Sequence, residues 1–492
     1  MVVAFRRRMC CGALCLSVGL SVVSAWSVAA TAGDASDRAA VRSAGVARAS
    51  DAASRIADYV REQAAKGRFS GTVLVGVGGK VIVERSFGWA NRAQRLANSP
   101  TTPFRINWYV RRWLSVALLR LDERGRLSLS APACRFIDAC RKIDRSITLR
   151  DVLEYRATLS VSSPPHRTDL HGWAEWARDH GSLVRVAEPE FAIADDLLLA
   201  AAFEQASHES WLAYLRASVF APAGMSATRL ASPRLKVHGY VGRRGGTFDA
   251  VRPPRRPVQP DVYGLVTTAR DLWRFDQALW GAKLVGRRSL TRLFGRASGW
   301  RYGWLVGRDN GLINATGTAH GDPGWYALAA RYPSKRLSVI LLANEGPATT
   351  LDAPGAVLGD LESGITSIVL GRPCHMPPRP VSVDPAVLAG YAGFYKGKRI
   401  YGPGAINPPP PDLDLTASLV AGRLVVEWDK TQNARFGNFF SSGPLIPLSP
   451  TAFASEADPD LRFAFSQDGE TLKLVVTHVC YRGLITRLVR VP

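Results

Sequence analysis

Few stretches of this 492-residue chain hold residue types that could carry chemistry. Asn107-Trp108-Tyr109-Val110-Arg111-Arg112 opens a helical pattern with two cations where the helix dipole is positive and two bulky aromatics where a cap is expected. Guanidinium groups clamp carboxylates or phosphates, but they do not give up a proton at physiological pH and cannot act as a base. Ser115, further along the same pattern, is a hydroxyl that would need a neighbouring base to become a nucleophile. Its neighbours Leu114, Val116 and Ala117 make it a small core residue instead. No Gly-x-Ser-x-Gly elbow occurs. His166, Asp169, His171 and His180 share one loop-like stretch whose spacing matches no zinc pattern, so neither a metal nor a cofactor is expected. Gly76 to Gly79 lack the following helix a phosphate loop requires, and read as a tight turn.

The elements that must position these residues follow from hydrophobic period and punctuation. Ile106, Val110, Leu114, Ala117, Leu118 and Leu121 recur at helical spacing within Phe104 to Leu129, and Gly125 closes the run. An earlier helix is expected from Asp51 to Lys66, stopped by Gly67, followed by a hairpin of Gly71 to Val75 and Val81 to Val83 about Gly78-Gly79. Thr148 caps a helix start at Leu149, Asp195 to Ser207 and Ser210 to Phe220 form two more helices, and Thr267 or Thr268 caps another through Leu279. Strands return at Gly303 to Gly307, Trp325 to Tyr332 and Leu337 to Leu342. Strands at both ends with helices between describe one α+β domain whose sheet joins its termini. After a proline-rich stretch, Arg423 to Trp428, Leu461 to Phe465, Leu472 to Val476 and Leu488 to Val491 alternate as short strands of a small all-β domain.

Composition sets the surroundings. With 47% apolar residues the chain can bury a large core. Arg6-Arg7-Arg8, an apolar run from about Cys10 to Ala30 and Ala30-Thr31-Ala32 read as an export signal, with retention as an uncleaved anchor the alternative. The expected organisation is signal 1–32, spacer 33–50, main domain 51–371, linker 372–386 and β domain 387–492. Removing the signal leaves 60 Lys and Arg against 41 Asp and Glu. That excess suits anionic surfaces, and for an exported, periplasmic or extracellular protein these are cell-wall polymers or membrane headgroups rather than nucleic acid; a merely soluble basic surface is the bland reading. An oxidising destination makes Cys134 and Cys140 a candidate disulfide and Cys374 and Cys480 another, against buried free thiols. No oligomeric state can be read from the sequence.

Phe69-Ser70-Gly71-Thr72-Val73-Leu74-Val75, Phe87-Gly88-Trp89-Ala90-Asn91-Arg92, Gly125-Arg126-Leu127-Ser128-Leu129, Phe220-Ala221-Pro222-Ala223-Gly224-Met225 and Gly264-Leu265-Val266-Thr267-Thr268-Ala269-Arg270-Asp271-Leu272 stand in order along the chain. Together these segments resemble the serine β-lactamase and penicillin-binding protein family, in its class C, D-alanyl-D-alanine carboxypeptidase and esterase branch. The likeness runs over roughly residues 50 to 370. It implies an antiparallel sheet flanked by helices with an all-helical subdomain, and a lipocalin-like extension for the β domain.

The resemblance also implies where catalysis should sit, and there the chain departs from it. The family's nucleophilic serine and its lysine one turn later fall on Trp108 and Arg111, which can neither attack nor accept a proton. The Tyr-x-Asn motif falls on Ile193, Ala194 and Asp195, so its hydroxyl is gone. The third motif, Lys or His followed by a small residue and glycine on an edge strand, is anchored by Pro323-Gly324-Trp325 and falls on Thr318-Ala319-His320. Even Tyr155-Arg156-Ala157-Thr158-Leu159 departs from the family's usual His-Thr-Ser-Gly-Leu. Three separate losses point to a pseudoenzyme, with Trp108 plugging the pocket. A divergent hydrolase using His320 and an activated water is the alternative. The paired replacement at 111 and 195 predicts a two-toothed Arg111–Asp195 ion pair within about 6 Å. A retained pocket would be lined by Tyr109, Arg111, Asp195, His320 and Trp325.

Overall fold

Val73-Leu74-Val75 and Leu337-Ser338-Val339-Ile340-Leu341-Leu342 are apolar on both faces, which a strand tolerates only if both sides are covered. A computed structural model shows that cover. It describes residues 50–491 apart from 107–108, 137–145, 162–169, 188–191, 233–234, 243–247, 252–263, 296–298, 310–311, 320–323, 348–352, 373–377, 402–412, 430–441 and 480–483. Seven antiparallel strands stand in the order Gly299–Arg301, Trp304–Asp309, Leu312–Ala319, Tyr326–Tyr332, Leu337–Ala343, Gly71–Val77 and Lys80–Phe87. The strands that come first and last in the chain within this sheet are thus neighbours, in register from Gly71↔Ala343 to Val77↔Leu337.

Alternation along these strands feeds two cores. Val73, Val75, Val339 and Leu341 pack with Ile56, Val60, Leu361 and Ile365 of the helices over 50–65 and Ala353–Val369. Leu74, Ile340 and Leu342 face the other way, onto Trp113 and Leu114 of the central helix, Val110–Glu123, and Phe275 of the helix Ala269–Trp280. Trp113 meets Phe220 and Phe275 from two other helices and Tyr109 from its own helix start edge-on, so the central helix is wedged by aromatics. Its end is set where the glycine predicted it: Gly125 takes φ +66, beyond Arg124.

Thr148 caps Leu149–Leu153 through a full capping box with Asp151. Thr148→Ala removes one arm of it and is expected to lower stability by about 1 kcal/mol, readable as a shift of the denaturant midpoint; an unchanged midpoint would show the box to be idle.

The C-terminal strands close on themselves. Eight strands from Gly393–Tyr401 to Leu484–Val491 form a barrel, the last pairing back to the first from Phe394↔Val491 to Tyr401↔Leu484. Sequence period had revealed only half of these strands. The interior holds Tyr395, Trp428, Phe453, Phe463 and Phe465, so the barrel is built around a packed core. Cys134 is disulfide-bonded, whereas Cys140, Cys374 and Cys480 lie outside the described residues, as does the expected signal segment.

Candidate functional site

The central helix starts badly by local rules. Tyr109 stands at its N-cap in right-handed helical conformation without a capping side-chain bond, and no acid occupies the first turn. That turn instead buries two guanidinium groups, Arg111 at 3% and Arg112 at 2% exposure. Buried cations beside a positive helix end demand carboxylates from elsewhere. They come from the first turn of the facing helix, Ile193–Ser207, where Asp195 and Asp196 also suit that helix's own dipole.

The pairing differs in detail from the one expected. Arg111 Nε donates to Asp196 Oδ1, while Nη2 lies 3.6 Å from Asp195 Oδ2 and 3.5 Å from the Ala192 carbonyl. One fork is therefore divided between two carboxylates, and its carbon sits 4.4 Å from the centre of the Tyr155 ring. Asp195 is fixed from its other side by the Leu159 amide at 2.7 Å and the Thr158 hydroxyl at 3.3 Å, both on the strand Ala157–Val161. Burial dominates its ionisation and, with the charge of Asp196 adding to it, raises its pKa to about 6 against the pull of Arg111, Leu159 and Thr158.

Arg112 turns the other way. Its guanidinium lies 4.6 Å from the Tyr109 ring centre, and burial lowers its pKa. Its path runs over two glycines: a Cβ on Gly317 would stand 2.3 Å from Arg112 Nε, and one on Gly303, at φ +92, would stand 3.2 Å from Cγ. Gly317 belongs to Leu312–Ala319, the strand expected to end in the third motif. The ladder with Trp304–Asp309 stops at Leu305↔Thr316, so among the described residues Gly317, Thr318 and Ala319 pair only with Tyr326–Tyr332. That free stretch of strand begins at the glycine against which Arg112 is packed.

The residues picked out by sequence thus fall into three groups. Arg111 and Asp195 meet at the junction of the two helix starts, with Ile193 opening the facing helix half-buried. Tyr109 and Trp325 are buried apart from that ion pair: Tyr109 against Trp113, and Trp325 edge-on to Phe104 with its indole against Gly239. Trp108 and His320 lie outside the described residues, as does the side chain of Thr318. A cavity does touch Tyr109, between the helix Ala269–Trp280 and the sheet, where Asp276 is held by Arg331 at 2.7 Å and Ser338 at 2.6 Å. Arg111, Asp195 and Trp325 do not line it.

The other sequence candidates sit elsewhere. Ser115 is fully buried, with no hydrogen-bond partner for its hydroxyl among the described residues. His180 stacks on Trp176 and exposed His171 lies 3.5 Å from Glu175; His166 and Asp169 are not described. Asp196, the stacking of Arg111 on Tyr155 and the buried course of Arg112 escaped the sequence reading. A signal for Asp196 was present: two adjacent arginines opening one helix and two adjacent aspartates opening another are complementary doublets, and only the first aspartate was matched.

Comparison with known proteins agrees with this fold. A family model described as Beta-lactamase matches residues 56–361. Penicillin-binding protein 4* of Bacillus subtilis is 24% identical over 376 residues, which cover 67% of this chain and 80% of that protein. Among solved structures, SurE superposes with a TM-score of 0.55 at 17% identity over 91% of this chain and all of its own, so the likeness in fold extends beyond the matched family region. A D-amino acid amidase from Ochrobactrum anthropi superposes with a TM-score of 0.54 at 15% identity, covering 66% of this chain and 99% of that one.

Proposed function

The chain belongs to the Beta-lactamase family, and from that premise we propose that it is a member without serine acyl-transfer activity, exported to the cell envelope to bind or scaffold. The observation that carries this reading is Arg111. It stands where the family resemblance puts the lysine base, and it is buried, permanently charged and engaged by two carboxylates. A lysine there can lose its proton and activate a serine; a guanidinium between Asp195 and Asp196 cannot. Trp108, at the serine position, offers no nucleophilic oxygen in its side chain. The basic balance of the chain supports a partner rich in anionic groups.

Incubation of the mature protein with a fluorescent penicillin and with a fluorophosphonate is expected to leave it unlabelled, beside a catalytic family member that labels fully. Stoichiometric labelling would sink the reading. Membership of a hydrolase family favours one second reading, a water-based hydrolysis assisted by His320. Turnover of an ester panel that disappears in His320→Ala would establish it; equal background in both proteins would remove it.

A further inference from the structure

The positive charge of this chain is unevenly placed. Residues 51–386 carry 46 Lys and Arg against 30 Asp and Glu, whereas residues 387–492 carry 11 against 9, so an anionic partner should meet the main domain rather than the barrel. Within that domain many surface cations are already occupied. Along the helix over 50–65, Arg61 pairs with Asp58 at 2.5 Å and Lys66 with Glu62 at 2.6 Å.

The far end of the central helix is different. There Glu123 Oε1 accepts the Gly286 amide at 2.8 Å, Asp122 holds Arg292 at 2.5 Å, and Arg120 donates to the Leu284 carbonyl. These bonds tie the helix end to the segment that carries Lys283 and the helix Arg287–Phe294. Asp122 is neutralised by Arg292, while Glu123 keeps its charge and leaves the corner with one acid against a surplus of cations. Arg124, Lys283, Arg287 and Arg288 are left exposed on the outside of the joint, and none makes an ion pair among the described residues.

We propose that this corner is a docking surface for a linear phosphodiester polymer of the cell envelope, gripped by Arg124, Lys283, Arg287 and Arg288. Three of the four are arginines, whose planar forks match pairs of phosphate oxygens. A bilayer is the poorer fit, because none of the large exposed apolar side chains of the described chain lies in this corner and nothing here would insert among acyl chains. The inference rests on the envelope-binding reading above and gives that partner a chemical class and a place.

The test uses the full mature chain and a fluorescent poly(glycerol phosphate) of defined length. Lys283→Gln, Arg287→Gln and Arg288→Gln together are expected to weaken binding at least about tenfold at low salt and to flatten its salt dependence, since fewer counterions are displaced. Arg55→Gln, Arg61→Gln and Lys66→Gln remove the same charge elsewhere and should cost less than about threefold, because general field effects are screened over about 10 Å. Equal losses from both triples, or none from the first, would overturn the assignment. So would binding of phosphatidylglycerol vesicles as tight as binding of the polymer. Thermal unfolding of each triple near that of the parent keeps the comparison fair. Penicillin labelling, run beside it, would refute the non-catalytic reading while leaving the polymer result to be judged separately.

Discussion

Arg111→Ala is expected to destabilise the protein by about 3–5 kcal/mol, the typical result of removing one partner from a buried ion pair. The cost comes less from lost attraction than from what stays behind. Asp195 and Asp196 are 0% and 3% exposed, and without the guanidinium they would remain as adjacent buried carboxylates at one helix start. Part of the cost is relieved by proton uptake, so the deficit should shrink as pH falls. Arg111→Lys makes a sharper companion. It keeps the charge, but an ammonium lacks the fork that spans Asp195 and Asp196 and the plane that stacks on Tyr155, so an intermediate loss is expected. Urea unfolding of the three proteins at pH 7 reads both effects. A loss below about 1 kcal/mol for Arg111→Ala would mean that the buried pairing with Asp195 and Asp196 contributes little to stability.

Asp195 makes the second large effect one of pH. Its pKa, about 6 in the folded protein, exceeds the ordinary aspartate value near 3.8. Between those values the folded chain binds more protons than the unfolded one, so stability falls as pH rises through the window from about 4 to about 6. This is opposite in sign to an exposed, salt-bridged carboxylate. Its size is on the order of 1–3 kcal/mol, following the shift at about 1.4 kcal/mol per unit. Asp195→Asn keeps the shape of the side chain and an acceptor for the Leu159 amide, but it cannot ionise. The variant should lose this downward step and match or exceed the parent in stability at pH 7. Parallel denaturation series from pH 4 to 7 decide the matter, since identical slopes in both proteins would place the titration on another group.

Much of the fold was legible because its signals are local and redundant. The central helix, its Gly125 stop, the Gly78-Gly79 hairpin and the Thr148 and Thr268 caps each depend on residues within one or two turns. The strand Leu337–Ala343 stood out for the same reason, as an apolar run interrupted only by Ser338. Leu312–Ala319 did not, because Asn314, Thr316, Gly317 and Thr318 dilute its period and its strand character comes from neighbours on either side. Half the barrel was hidden likewise: Gly443–Pro447 and Ala452–Ser455 are too short to show alternation, and closure alone makes them strands.

At the helix start where chemistry was expected, the residue types alone were decisive. Tryptophan and arginine have no serine hydroxyl and no removable ammonium proton wherever the chain places them, so the proposal of a non-catalytic member rests on residue type and on the motif positions the resemblance implies. What those residues do instead was decided by tertiary structure. Arg111 could have faced solvent or closed on Asp195 alone. It bridges Asp195 and Asp196 because two helix starts converge, one contributing cations and the other carboxylates, and because Leu159 and Thr158 already claim part of Asp195. Charge balance inside a protein is settled by which groups share a volume without water, and no spacing along one chain segment contains that information.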